Sequence, residues 1–200
     1  MKWTLLPIML MAATFAARPA TALNKEKYRS THSMQASPRC EYNYRRLELE
    51  TYNGDVYFLG QGVPQDYAKA FQYYKDAASH GFASAQNKLG LMYGHALSVP
   101  QSYSKAAKWY LLAADQGDPG AQNNLGLLYE RGQGVPRNTI YAYAWFDLSS
   151  LNGRSNQIIQ GLATQHLHEI ASHMTAAQIA RAQAMALAWL KRRARPHCNS

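Results

Sequence analysis

A Val-Pro pair recurs in this chain at a fixed interval of 36 residues, as Val63-Pro64, Val99-Pro100 and Val135-Pro136. A period of that size marks a stacked array, in which each unit is too small to bury its own apolar face and must cover its neighbour's. The repeat reaches many columns. Tyr57, Tyr93 and Tyr129 are in step, as are Gly54, Gly90 and Gly126, and Gly81, Gly117 and Gly153. Small residues hold Ala70, Ala106 and Ala142, then Ala77, Ala113 and Ser149. Two neighbouring aromatic columns hold Tyr73, Trp109, Trp145 and Tyr74, Tyr110, Phe146.

Each unit reads as two helices. Helix B starts after Asp66, Ser102 or Asn138, whose side chains can accept from the free N–H groups of the first turn. It stops at Gly81, Gly117 or Gly153, residues suited to a left-handed C′ position. Helix A follows, as in Ala85 to Tyr93, and ends in a Gly-rich turn such as Gly60-Gln61-Gly62 or Gly132-Gln133-Gly134. The prolines then disfavour helix at the residue before them. A glycine inside a helix, such as Gly90 or Gly126, costs about 1 kcal/mol against alanine. It is tolerated where a neighbour must come close. The bulky column Tyr73, Trp109, Trp145 is expected to fill the hollow, with Tyr93 and Tyr129 as further core residues. The fold class is therefore all-α: a solenoid of about three helix pairs with a C-terminal capping pair.

The run Ala121, Leu125, Gly126, Tyr129, Gly132, Gly134, Val135, together with Lys105, Ala106, Trp109, Tyr110, Ala113, Ala114, Gly117, resembles the Sel-1-like repeat, a relative of the tetratricopeptide repeat. The resemblance implies a right-handed superhelix acting as an adaptor, scaffold or regulator. It also allows an immunity protein that neutralises an exported phospholipase toxin. A weak β-lactamase-like hydrolase is a further family possibility, but members described that way carry a cysteine pair in every repeat, and this chain has none inside its repeats.

The chain departs from the pattern in three places. Its first helix A is degenerate, with Leu49 and Asn53 replacing Ala and Leu, and Arg45, Arg46, Glu48 and Glu50 supplying the polarity a terminal repeat needs. Ser37-Pro38 reads as its cap and first residue. In the middle turn, Ala96 and Ser98 replace both glycines. Side chains are strained at φ > 0, so a different loop conformation is expected there, with His95 and Leu97 outside as partner-contact candidates. After Gly153 the period lapses. Residues 155–173 read as a helix with Ile158, Ile159, Leu162 and Ile170 on one side. Thr175-Ala-Ala-Gln178 is a capping box opening a helix with Ile179, Ala182, Ala186 and Trp189 as its apolar stripe. This pair is expected to seal the end of the stack.

The N-terminus reads as a secretory signal, residues 1–22. Lys2 precedes an almost wholly apolar run at residues 4–17, and Ala20-Thr21-Ala22 suits cleavage. The run is too short for a good membrane span. Residues 23–36 read as a flexible leader, 37–153 as the repeat array, 154–193 as capping helices and 194–200 as a basic tail. The expected address is the periplasm of a Gram-negative bacterium, or beyond, with no stable membrane insertion after cleavage. Removing Lys2 and Arg18 lowers the formal charge of +9 by two. Nucleic acid is not an expected partner of an exported protein. Cys40 and Cys198 would meet an oxidising compartment, where pairing is the default. They flank opposite ends of the array, whereas a bridge needs Cα atoms within about 7 Å. An internal bridge, free thiols and a bridge to another chain all stay open.

Catalytic constellations are thin. There is no phosphate loop, nucleophile elbow or C-x-x-C spacing. His166, Glu169 and His173 share a helix face, but His168-Glu169-x-x-Ser172 is not a metalloprotease motif, and the histidines read as packing or surface residues. No metal, cofactor or catalytic residue is assigned. A protein partner (a peptide, a helix or a domain edge) is expected in a trough on helix A. There Asn87, Lys88 and Leu91 stand one repeat before Asn123, Asn124 and Leu127, amides fixing register and apolar knobs supplying area.

Overall fold

The computed structural model describes residues 38–193, with side chains from Asn43 to Arg192. The chain clusters into residues 1–39 and 40–200, and all but the first two described residues belong to the second unit. The signal segment, the leader with Ser37, the basic tail and Cys198 lie outside the described residues, as does the side chain of Cys40.

Eight α-helices and one 3-10 turn make up the described residues, which contain no strand. They are α1 (Pro38–Leu59), α2 (Tyr67–Ser79), α3 (Ala83–Gly94), α4 (Tyr103–Asp115), α5 (Pro119–Arg131), α6 (Thr139–Asn152), the turn Gly153–Ser155, α7 (Gln157–Ala171) and α8 (Ala176–Arg193). Helices α1, α3, α5 and α7 are the A helices and the others the B helices. The starts follow local chemistry. Asp66 accepts from Lys69 N at 2.9 Å, Ser102 from Lys105 N at 3.3 Å, and Asn138 from the N–H groups of Ile140 and Tyr141 at 3.1 Å. Asp118 caps α5, with Pro119 in its first turn. Gly81 and Gly117 end their B helices at φ +88° and +81°. Gly153 does not: at φ −75° and buried, it runs into the 3-10 turn with its face against Gln160 of α7.

Glycine columns mark the closest approaches between helices. A Cβ added at Gly90 would stand 2.5 Å from the Tyr110 ring, and one at Gly126 would stand 2.6 Å from Phe146. Gly54 meets Tyr74 in the same way. The ring filling each hollow is therefore from the column Tyr74, Tyr110, Phe146, not from Tyr73, Trp109, Trp145 as expected. Of that second column only Trp145 is buried, and Tyr73 and Trp109 are half-buried. Tyr93 and Tyr129 are also half-buried, Tyr93 edge-on to Phe71 and Tyr129 stacked on Tyr141.

Buried glutamines tie the repeats together. Gln122, 1 % exposed, donates to Ala114 O at 3.1 Å and accepts from Asn152 at 3.0 Å. One period earlier Gln86 donates to Ala78 O at 3.2 Å and accepts from Gln116 at 2.8 Å. Each glutamine thus joins the end of the B helix before it to the end of the B helix after it. Buried polar groups persist where such partners exist.

The C-terminal helices part company. α7 takes the next A position, against α6 and α5. Its buried face is Ala163 and Ile170, while Ile158 and Leu162 are 76 % and 45 % exposed, so those two do not share the core side. The capping box at Thr175 and Gln178 forms as expected, with reciprocal bonds of 2.8 and 3.3 Å. α8 lies on α6, with Trp189 4.1 Å from Trp145 and Ala182 and Ala186 buried in the cluster that holds α4 and α6. It reinforces the B layer and leaves the outer face of α7 open.

Candidate functional site

The A helices adjoin one another directly, α3 to α5 and α5 to α7. Their exposed face carries most of the trough residues expected from sequence. Asn87, Lys88, Leu91, Asn124 and Leu127 are half-buried there. Asn123 is not on that open face: it is 8 % exposed, and its Oδ1 is 2.9 Å from Nδ1 of His166 on α7. The reason is one of angle. Consecutive residues on a helix point about 100° apart, so Asn123 turns toward α7 while Asn124 faces the trough.

The polar residues that remain are bonded to each other. Asn87 donates to Asp118 Oδ1 at 3.0 Å and accepts from Asn124 at 3.1 Å. Lys88 pairs with Asp55 of the preceding repeat at 2.8 Å, and the Tyr74 hydroxyl donates to the same carboxylate oxygen at 2.6 Å. Asp118 also accepts from Ala121 N at 2.7 Å. Burial pushes its carboxyl pKa up, against the pull of the Ala121 and Gly120 amides and the Lys88 charge. These bonds fix the side chains in place, and Leu91 and Leu127 stand among them as the apolar elements.

The middle turn keeps the shape of its neighbours. Ala96 and Ser98 sit at φ +57° and +62°, against +70° and +75° at Gly60 and Gly62 and +68° and +71° at Gly132 and Gly134. The hydrogen bonds match too: Leu97 N to Met92 O repeats Gln61 N to Val56 O and Gln133 N to Leu128 O. The expected change of conformation does not occur, because the flanking helices hold the turn closely enough to impose a strained backbone. His95 is exposed, whereas Leu97 packs partly onto the core and is not outside.

Below this turn lies a cleft of about 100 Å³. Its walls include His95, Tyr103, Tyr110, Asn124 and Leu127, and Arg131. Sequence reasoning missed Tyr110 and Arg131 as surface groups. The signal was present, since Leu59, His95 and Arg131 form one column and become basic toward the cleft.

The histidines of α7 and the turn after it are dispersed. His166 packs 4.9 Å from the Phe146 ring, and His173 is exposed. Among the described residues no three His, Cys, Asp or Glu side chains are grouped to hold a metal, and no helix is long and apolar enough to cross a membrane.

Comparison with known proteins agrees with this architecture. The Sel1 repeat matches residues 54–82, 83–118 and 119–153. Among solved structures, a Sel1 repeat protein from Oxalobacter formigenes is similar at 24 % identity and TM-score 0.59, over 80 % of this chain and 60 % of that one. A protective antigen of uropathogenic Escherichia coli strains with an SLR fold is similar at 25 % identity and TM-score 0.52, over 77 % of this chain and 40 % of that one. The chain thus spans less than two thirds of either structure. No curated protein matches it. Sel1 repeat proteins are generally protein-interaction scaffolds. Three consecutive units, in register with the helix pairs and with the glycine contacts between them, place this chain in the Sel1 repeat family.

Proposed function

We propose that this protein is an exported, non-catalytic scaffold that binds another envelope protein along the trough of its A helices. One observation carries the reading. Leu91 and Leu127 are partly exposed one repeat apart, between polar side chains already held by Asp55, Asn87 and Asp118. Pre-ordered side chains lose little entropy when a partner docks, so apolar contact there converts efficiently into affinity. Export is supported by Lys2, the apolar run at 4–17 and the Ala20-Thr21-Ala22 sequence.

The test uses purified chain, immobilised and exposed to cross-linked envelope extract. Retention of one protein in stoichiometric amount is expected, reduced at least tenfold by Leu91→Glu with Leu127→Glu, since buried anchor residues dominate interfaces. Lys108→Glu, at an exposed position on α4, should leave retention intact. Equal retention by the trough variant, or retention of nothing, overturns the reading.

A further inference from the structure

Three successive repeats treat one aromatic position differently. In the first, the hydroxyl of Tyr74 donates to Asp55 at 2.6 Å. In the third, the residue is Phe146, with Leu127 in the place of Asp55. There both donor and acceptor are gone. The second repeat keeps the donor and loses the acceptor: it has Tyr110, with Leu91 where Asp55 would recur. Tyr110 is 5 % exposed, and its hydroxyl, which makes no hydrogen bond within the described residues, reaches the open cleft rather than closed core. A hydroxyl that opens onto a cleft keeps its hydrogen bond for water or a ligand, whereas replacing both partners of such a pair by apolar groups is the alternative solution. The third repeat adopts that solution and the second does not.

The Tyr110 side chain lines the cleft under the middle turn, with Gly94 3.9 Å from its hydroxyl oxygen by way of an added Cβ. Arg131 and His95, in equivalent positions of adjacent repeats, stand on the same cleft, and both are exposed. Tyr103 opens α4 there and brings a second hydroxyl. No Asp or Glu lines the cleft. The site therefore offers the unpartnered, cleft-facing hydroxyl of a side chain nine-tenths buried, a guanidinium and an imidazole, with nothing anionic to satisfy them. The N-terminal end of α4 adds a positive potential.

We infer that this cleft binds a carboxylate, which takes toward Tyr110 the place that Asp55 takes toward Tyr74. Arg131 supplies the charge, with a planar fork matched to two carboxylate oxygens, and His95 closes the site at the turn. The inference deepens the scaffold reading and rests on it for its biological use: the carboxylate is an acidic side chain or a chain terminus of the docked protein. The binding chemistry itself does not depend on that reading.

The experiment is an NMR titration of the full-length mature protein with sodium acetate, and with sodium chloride as the reference. Saturable shifts of the Tyr110 and Arg131 resonances with acetate alone are expected. Tyr110→Phe should weaken acetate binding about tenfold or more, as loss of a hydrogen bond to a charged group does. It should fold normally, because Phe146 fills the equivalent hollow. Arg131→Gln should weaken binding comparably. Leu91→Asp should abolish it by giving Tyr110 an internal carboxylate, while Tyr74→Phe should leave it unchanged. Two peptides then separate the sources: acetyl-Gly-Gly-Gly with a free terminus, and acetyl-Gly-Glu-Gly-amide. Tighter binding of the first assigns a chain terminus, and of the second an acidic side chain. Absence of a saturable shift, or Tyr110→Phe titrating like the parent, overturns the inference even if envelope protein is still captured. Saturable acetate binding without any captured protein overturns only the scaffold reading.

Discussion

Replacing Ala96 and Ser98 together by glycine should stabilise the protein. Both residues hold positive φ, +57° and +62°, in a turn whose counterparts in the other repeats are all glycine. The left-handed conformation costs an L-residue about 1–2 kcal/mol. Glycine removes that cost but returns roughly 0.5–1 kcal/mol through the greater freedom of the unfolded chain. With the low ends taken together and the high ends together, the difference is a gain of about 0.5–1 kcal/mol per site, or about 1–2 kcal/mol for the pair if these neighbouring sites add. For a chain of this size each kcal/mol moves the midpoint by about 2–4 °C, so a rise of about 2–8 °C is expected. The glycines at 60, 62, 132 and 134 show that the turn keeps its hydrogen bonds without side chains at these positions. Scanning calorimetry of the single and double variants at fixed pH and salt measures the effect. A midpoint that stays put or falls refutes the idea that this turn stores backbone strain.

Three further outcomes follow from the packing. Gln122→Leu removes two hydrogen bonds worth about 0.5–1.5 kcal/mol each. Ala114 O keeps its bond from Gly117 N at 2.8 Å, so the loss should be about 1–3 kcal/mol by urea denaturation, with non-additivity in a cycle with Asn152→Ala. Gly134→Ala should cost distinctly more than Gly62→Ala. The two share a left-handed φ, but a Cβ at Gly134 meets the Tyr103 backbone whereas one at Gly62 meets open space. Equal midpoints for that pair contradict it. Burial pushes up the carboxyl pKa values of Glu50, Asp115, Asp118 and Asp147. The folded chain therefore takes up protons at a higher pH than the unfolded chain. Each group's contribution to stability rises as pH falls through its folded-state pKa and is complete below the ordinary carboxylate range. Calorimetry should find the midpoint at pH 5 equal to or above that at pH 7.5, and a steady fall on acidification counts against it.

What the sequence disclosed was what a residue does to its own turn of helix. Asp66, Ser102 and Asn138 act on N–H groups two or three residues away, and the Thr175–Gln178 box is equally local, so these caps are legible without a structure. Harder cases required a choice between neighbours. The columns beginning at Tyr73 and Tyr74 are both aromatic and only about 100° apart on the helix. Which one enters the glycine hollow depends on the angle between helices, and periodicity is blind to that. The stripe Ala182, Ala186, Trp189 told which side of α8 is buried but not that α6 receives it. Gln86 and Gln122 stand one period apart, with Glu50 a period earlier, yet a polar column reads as surface until the carbonyls of Ala78 and Ala114 are seen beside it. At Gly153 the regularity itself misled, since the glycine there packs against α7 rather than turning the chain to the left.

The bonding of the trough bears on how a partner is held. The amides of Asn87 and Asn124 and the ammonium of Lys88 are engaged with each other, with Asp118 and with Asp55. A partner that competed for them would break bonds as it formed new ones, and such exchanges yield little net free energy. In the proposed binding mode, affinity on this face comes from groups with no internal partner. Leu91 and Leu127 offer apolar area, and apolar contact displaces water without any exchange. The Tyr110 hydroxyl offers a hydrogen bond at the cleft that no internal partner takes. The polar network is therefore a frame that holds the leucines and the cleft in one register. In the proposed binding mode specificity follows from the same asymmetry: a ligand with an anionic oxygen at the cleft bonds Tyr110 and Arg131, whereas one without it leaves both groups to water.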